Sequence, residues 1–131
     1  MQITRHATAK NPPEWFTGKV WLDPVAAPST PGQQANAAIV RFAPSARTAW
    51  HSHPGGQTLH ILEGVALVQS RGGAVSEVSA GNTVLCPPGE EHWHGAAPHS
   101  FMSHLAVWDT LPGQPSAIWG DHVIDSEYAA R

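Results

Sequence analysis

Apolar residues in this chain come in runs of four to eight, several alternating with polar ones, and the runs are cut by Pro, Gly, Asn and Asp. That spacing predicts short strands rather than helices. Residues 1–14 read as an arm ending in Asn11-Pro12-Pro13. Trp15 to Leu22 reads as a strand that Asp23-Pro24 ends. Residues 26–34 form a Pro/Ser/Gly loop. Ala37 to Phe42 is the next strand, with Ala38, Val40 and Phe42 on one face, and Arg47 to His53 follows it. Thr58 to Leu62 and Val65 to Gln69 are expected to pair as a hairpin across Glu63-Gly64. Val75 to Val78, Thr83 to Cys86, His92 to Gly95 and Phe101 to Trp108 complete the strands. Leu111 to Ser116 is a second Pro/Gly break, and Trp119 to Ile124 suits a last strand or a turn. Asp125-Ser126-Glu127 offers an N-cap for a short C-terminal helix. Turn signals every eight to twelve residues predict an all-β sandwich or small barrel, a single domain over residues 1–131.

Composition sharpens this picture. The 131 residues suffice for one core. Twelve Gly and twelve Pro, against 13% charged residues, fit a turn-rich β chain. Seven Lys plus Arg form no cluster and the formal charge is −3, so no nucleic-acid partner is expected. Cys86 is the single cysteine, which excludes an internal disulfide and suits a small buried thiol. The polar N-terminus is not that of a signal peptide, and no apolar run approaches the ~20 residues of a membrane span. A soluble cytoplasmic protein with no membrane partner is the expectation. Six tryptophans are a high number for this length. Trp50 and Trp93 alternate with histidines, so they should lie on an outer face, covering the barrel or an oligomer contact. Trp15-Phe16 suits a strand or an arm packed on a neighbour.

Nine histidines carry the candidate chemistry. In a strand, His51 and His53 point to one side, where both can reach a single ion. Pro54-Gly55-Gly56 then bends the chain and Gln57 returns to that side. His92 follows the Pro87-Pro88-Gly89 turn, which can aim it into the same cavity. Three imidazoles and an amide oxygen suit a divalent first-row metal with room left for water or substrate. All four are neutral, so the ion keeps its full charge and acts as a stronger Lewis acid than one held by a carboxylate. His94 lies two positions beyond His92 and faces inward too, a candidate general acid or base. For His104 the pattern leaves the face open, since both faces of its strand are largely apolar. His60 has the opposite parity to Gln57 and should lie outside.

The stretch from Ser45 to Gly64 resembles the first motif of the cupins: two histidines, a third ligand after three residues, then a glycine after six more. The stretch from Gly81 to Ala96 resembles the second: glycine, five residues, Pro-x-Gly, two residues, histidine. Ser45 stands where the pattern has glycine, Gln57 where it usually has glutamate, and Ala96 where it often has asparagine. Several runs look closer still to the bacterial cupin hydroxynitrile lyases. These are Trp15-Phe16-Thr17-Gly18, Ala46 to His51, His53-Pro54, Gly56 to Leu59, Pro88-Gly89-Glu90 and His92 to Pro98. The resemblance covers Trp15 to about Tyr128. It implies a cupin barrel and manganese held at His51, His53, Gln57 and His92, with Fe2+, Ni2+, Co2+ or Zn2+ as other candidates. It further implies cavity positions at Ala38, Val40, His94, His104 and Trp108, and a homodimer or homotetramer. Trp108 departs from the lyase pattern, which has a smaller polar residue there.

The activity so implied is reversible cleavage of a cyanohydrin such as mandelonitrile to an aldehyde and cyanide. His94 or His104 would move the proton, and Ala38, Val40, Phe42 and Trp108 would form an apolar wall for an aromatic substrate. Three other readings share the ligand set. One is a dioxygenase of the quercetinase or alkene-cleaving kind, which would consume oxygen. Another is a sugar-acid isomerase, whose polar or cationic walls are not supplied here. The third is a metal-binding cupin acting as a sensor without this activity.

Overall fold

Alternation along the strands puts one apolar row inward, and the pairing shows where each row goes. The computed structural model describes residues 1–131. Its strands are β1 Ala9–Lys10, β2 Phe16–Thr17, β3 Val20–Ala26, β4 Ala35–Phe42, β5 Arg47–Thr48, β6 His51–Ser52 and β7 Gln57–Ser70. They continue as β8 Ser76–Ser79, β9 Thr83–Cys86, β10 His92–Ala96, β11 Met102–Asp109 and β12 Ile118–Trp119, and one helix, α1 Asp125–Tyr128, follows. All pairings are antiparallel. One sheet runs β1-β3-β4-β11-β7-β9. The other runs β8-β7-β10-β5-β2, with β6 also paired to β10 and β12 to β6. No helix is long and apolar enough to cross a membrane.

The long strand β7 belongs to both sheets, and this corrects the expected hairpin. Residues from Gln57 to Gly64 pair with β11, and those from Ala66 to Ser70 pair with β10. Glu63-Gly64 is a kink within one strand, not a turn between two. Gly64 has φ +78°, and a Cβ there would overlap the Phe101 carbonyl. Only glycine takes that conformation without steric cost, so the residue that reads as a turn signal serves here to bend a strand between sheets.

Three smaller expectations also shift. Pro24 does not end its strand but lies within β3, next to a register irregularity between Pro24 and Ala26. β1 covers only Trp21 and Leu22, so Pro24 sits on an unpaired edge where its missing N–H costs no ladder bond. The strand expected from Arg47 to His53 is two short pieces, β5 and β6, with His53 just beyond the second. The cap of α1 is Ile124 rather than Asp125, and its N–H donates to the Glu127 carboxylate.

The inward rows form a core of Val20, Ala38, Val40, Phe42, Ala46, Ile61, Ala66, Ala96 and Met102. Leu59, Cys86 and Ala106 extend it. On the outer face of the second sheet, Trp50, Leu67 and Trp93 pack under Val123 and Tyr128. Thus Trp50 and Trp93 face outward as expected, and the chain's own C-terminal segment covers them. Arg47 ties that segment down. Its guanidinium donates to the Val123 carbonyl at 2.9 and 2.7 Å, pairs with Asp125, and lies over the Tyr128 ring. Gly95 lies opposite Arg47, and a Cβ there would sit 2.5 Å from the Arg47 Cβ. Trp15 and Phe16 likewise pack within the chain, Trp15 on Trp119 and Phe16 against Phe42.

Candidate metal centre

His92 on β10 is registered against His51 on β6, so the ladder itself places two imidazoles side by side. Their ring centroids are 4.4 Å apart. His53 joins them at 5.1 Å from His51 and 6.0 Å from His92. One ring nitrogen from each of the three lies within 4.8 Å of the others. Gln57, the first residue of β7, brings its Oε1 to 3.1 Å from His92 Nε2. All four side chains are buried.

Backbone carbonyls decide the tautomers. His51 Nδ1 lies 2.9 Å from the Ala49 carbonyl, His53 Nδ1 2.8 Å from Ser116, and His92 Nδ1 2.9 Å from Glu90. A carbonyl only accepts, so each Nδ1 carries the proton and each Nε2 presents a lone pair. His53 Nε2 is buried with no partner of its own. Lone pairs of His92 Nε2 and Gln57 Oε1 face each other at 3.1 Å. Converging buried lone pairs are costly unless a cation satisfies them. The donor set therefore fits a divalent metal. Desolvation by burial pushes all three imidazoles down, His53 to about 4 and His51 well below its ordinary value, with His92 next to His51 adding to it. They are neutral at pH 7, the form a metal needs.

A second histidine pair adjoins the first. Register fixes what the pattern left open for His104: it lies opposite Val40 and Ile61, both core residues, and is fully buried. A bulge at Leu62 skips one residue of β7 between the Ser103–Glu63 and His104–Ile61 pairs. His104 Nε2 is 3.0 Å from His94 Nδ1, so one proton is shared between the rings. The outer nitrogens, His94 Nε2 and His104 Nδ1, are buried without partners. The His94 ring lies 5.2 Å from His51 and 5.8 Å from His92. Burial lowers both, His104 to about 4 and His94 well below its ordinary value, the neighbouring histidines reinforcing the second shift.

Phe42 packs against both members of this pair at 6.0 and 5.3 Å. Ala38 and Val40 lie beside it in the core, opposite Ala106 and His104. Trp108 is half-buried, 6.0 Å from the His53 ring. A cavity of about 190 Å³ reaches His92, lined among others by Leu59, Val68, Ser70, Cys86 and Glu90. Another, about 260 Å³, runs past Gly56, Gln57, Pro88 and Trp108. Ala38, Val40 and Phe42 line neither. The Cys86 thiol is buried, and burial with Glu90 nearby pushes it up to about 11, so it stays protonated. His60 is outside as expected, hydrogen-bonded to Thr83.

Two contributors went unnoticed in the sequence, Ser116 through its carbonyl and Trp119 through its ring, which stacks on His51 at 4.6 Å. Neither carries a motif signal.

The fold and the site find counterparts among known proteins. A family model described as Cupin domain matches residues 38–108. The chain belongs to the cupin family. An (R)-mandelonitrile lyase from Granulicella tundricola is 46% identical over 131 residues, 98% of each chain. A cupin-like protein of Thermotoga maritima superposes with a TM-score of 0.86 at 35% identity, over 96% of this chain and 92% of that one. The polyketide cyclase RemF of Streptomyces resistomycificus superposes at 0.72 over 98% and 89%, with 17% identity, and so speaks to the fold alone. In this cupin, then, the two adjoining histidine clusters are buried in the interior of the fold.

Proposed function

We propose that this cupin is a metal-dependent hydroxynitrile lyase, which cleaves aromatic cyanohydrins such as mandelonitrile to an aldehyde and cyanide and runs in reverse. Its near-full-length similarity to an (R)-mandelonitrile lyase carries the reading. In it, His51, His53, Gln57 and His92 hold a divalent ion, manganese first among the candidates. When bound, that ion supplies a positive charge that stabilises developing negative charge on carbonyl oxygen or cyanide.

The chain's own groups do the rest. His94 Nε2 accepts the hydroxyl proton of the cyanohydrin. Its Nδ1 must then carry a proton, which it donates to His104 Nε2, and His104 holds its own proton at Nδ1. The C–C bond to the nitrile breaks, its electron pair leaves with cyanide, and the oxygen's pair forms the carbonyl. His94 returns its proton to cyanide, restoring the neutral pair. Burial keeps the imidazolium of His94 unfavourable, so the proton is passed on rather than retained. Of the expected apolar wall, Trp108 is the member in reach of the aromatic group, while Ala38, Val40 and Phe42 lie in the core and back the histidine pair. Trp108 is the member that touches both a cavity and the triad.

Metal analysis of the purified protein followed by a mandelonitrile assay tests this. Manganese-loaded protein should release benzaldehyde and cyanide above the spontaneous rate, and chelator should abolish the excess. Release no faster than the metal-free control would reject the lyase, and oxygen uptake with electron-rich aromatics would then favour the oxygenase.

A further inference from the structure

The three imidazoles of the triad are not held alike. His51 and His92 find their Nδ1 acceptors two residues away, at Ala49 and Glu90, within their own loops. His53 finds its acceptor 63 residues away, at the Ser116 carbonyl. Three residues beyond Ser116, the indole of Trp119 lies on the His51 ring, with centroids 4.6 Å apart and planes within 30°. The same short segment therefore touches two of the three rings, by two different contacts.

The segment is itself fixed. β12 pairs with β6, Trp119 opposite His51 and Ile118 opposite Ser52. Gly120 N–H donates to the Trp50 carbonyl at 2.7 Å, and Trp50 N–H donates to the Asp121 carbonyl at 2.9 Å. From the other side Trp15 stacks flat on Trp119, 5.0 Å apart and 4° from parallel, and Phe16 packs at 5.8 Å. The result is a tower of Trp15, Trp119 and His51, in which the ligand ring is the innermost layer. An imidazole with its Nδ1–H donated to a carbonyl keeps one freedom, a tilt about that bond. A flat ring against its face removes it.

We propose that Ser116 to Trp119 form a clamp that orients the metal-binding face of the site, with Trp119 the positioning residue for His51 and the Ser116 carbonyl that for His53. This rests on the metal reading of the triad. The clamp joins the N-terminal residues Trp15-Phe16 and the chain's last strand to the metal centre, so both ends of the chain set the geometry of ligands near its middle. Trp119 does not touch the ion. It acts through the tilt of His51.

Cobalt titration of the chelator-treated full chain tests the clamp, because Co2+ reports ligand geometry through its visible bands and needs no substrate. Trp119→Ala should weaken Co2+ affinity by roughly 10–100-fold, the range for loss of an outer partner of a metal-bound histidine, and alter the band intensities. Trp119→Phe, which keeps a flat ring, should recover most of the loss, whereas Trp119→Leu, which keeps bulk alone, should not. The Phe and Leu variants decide the matter even if Trp119→Ala fails to fold. Wild-type affinity and spectrum in Trp119→Ala, or equal binding by the Phe and Leu variants, would overturn the clamp. A wild-type protein that takes up no cobalt would instead reject the metal site itself, and the clamp with it.

Discussion

His94 and His104 divide one proton between them, and their surroundings make them unequal. His94 lies within 5.2 and 5.8 Å of two triad rings, while His104 sits behind it against Val40 and Ile61. The substrate hydroxyl must come within about 3 Å of the group that takes its proton. In the proposed reaction that group is His94, the member of the pair nearer the triad. His94→Ala should keep its metal and lose turnover by about 10²–10⁴-fold, the usual cost of a lost acid–base group. Metal analysis and initial rates on the same preparation check this. Loss of metal would make His94 a ligand, and full activity beside an inactive His104→Ala would reverse the two roles. Ser45 shows how a departure from a motif reads in structure. It adopts φ +68°, a left-handed conformation that favours glycine, which is what the cupin pattern has at that place.

At the scale of elements, most strands were legible because alternation is a local property, and so was the shared face of Ala38, Val40 and Phe42. What stayed hidden was decided by distant partners. The Glu63-Gly64 signal is the same whether glycine turns a hairpin or kinks one strand, and only the pairing of β7 with β11 on one side and β10 on the other distinguishes them. The face of His104 was ambiguous for the same reason until its register against Ile61 was known. In the same way Ser116 and Trp119 gave no signal, since their contacts to His53 and His51 span more than sixty residues of chain. The kink makes a test. Gly64→Ala adds a methyl where φ is +78° and the Phe101 carbonyl is in the way. Left-handed strain and overpacking together should lower stability by roughly 2–4 kcal/mol. Denaturant midpoints against wild type measure it. An unchanged midpoint would mean that β7 relaxes at the kink, contrary to the close approach of β11.

For the whole molecule, five neutral histidines buried in one barrel tie stability to pH. In the folded chain His51, His53, His92, His94 and His104 all titrate below the ordinary imidazole value, chiefly through burial. In the unfolded chain each returns to about 6.5. Between about 4 and 6.5 the unfolded state therefore binds more protons than the folded one, and stability rises with pH through that window. Above it neither state is protonated, so this contribution is complete and flat. As pH falls from about 6.5 towards 4 it is progressively lost. Protonation of the folded triad would also remove the Nε2 lone pairs that a metal needs, so the folded protein should release bound metal only as pH approaches about 4, where His53 titrates. Chelator-treated protein should show a falling urea midpoint from pH 7 to pH 5, as the unfolded chain takes up protons that the folded one excludes. A midpoint that does not move between pH 7 and pH 5 in the metal-free protein would mean that these imidazoles are hydrated rather than buried in the folded chain. The closed interior that supports both the triad and the His94–His104 pair would then be wrong.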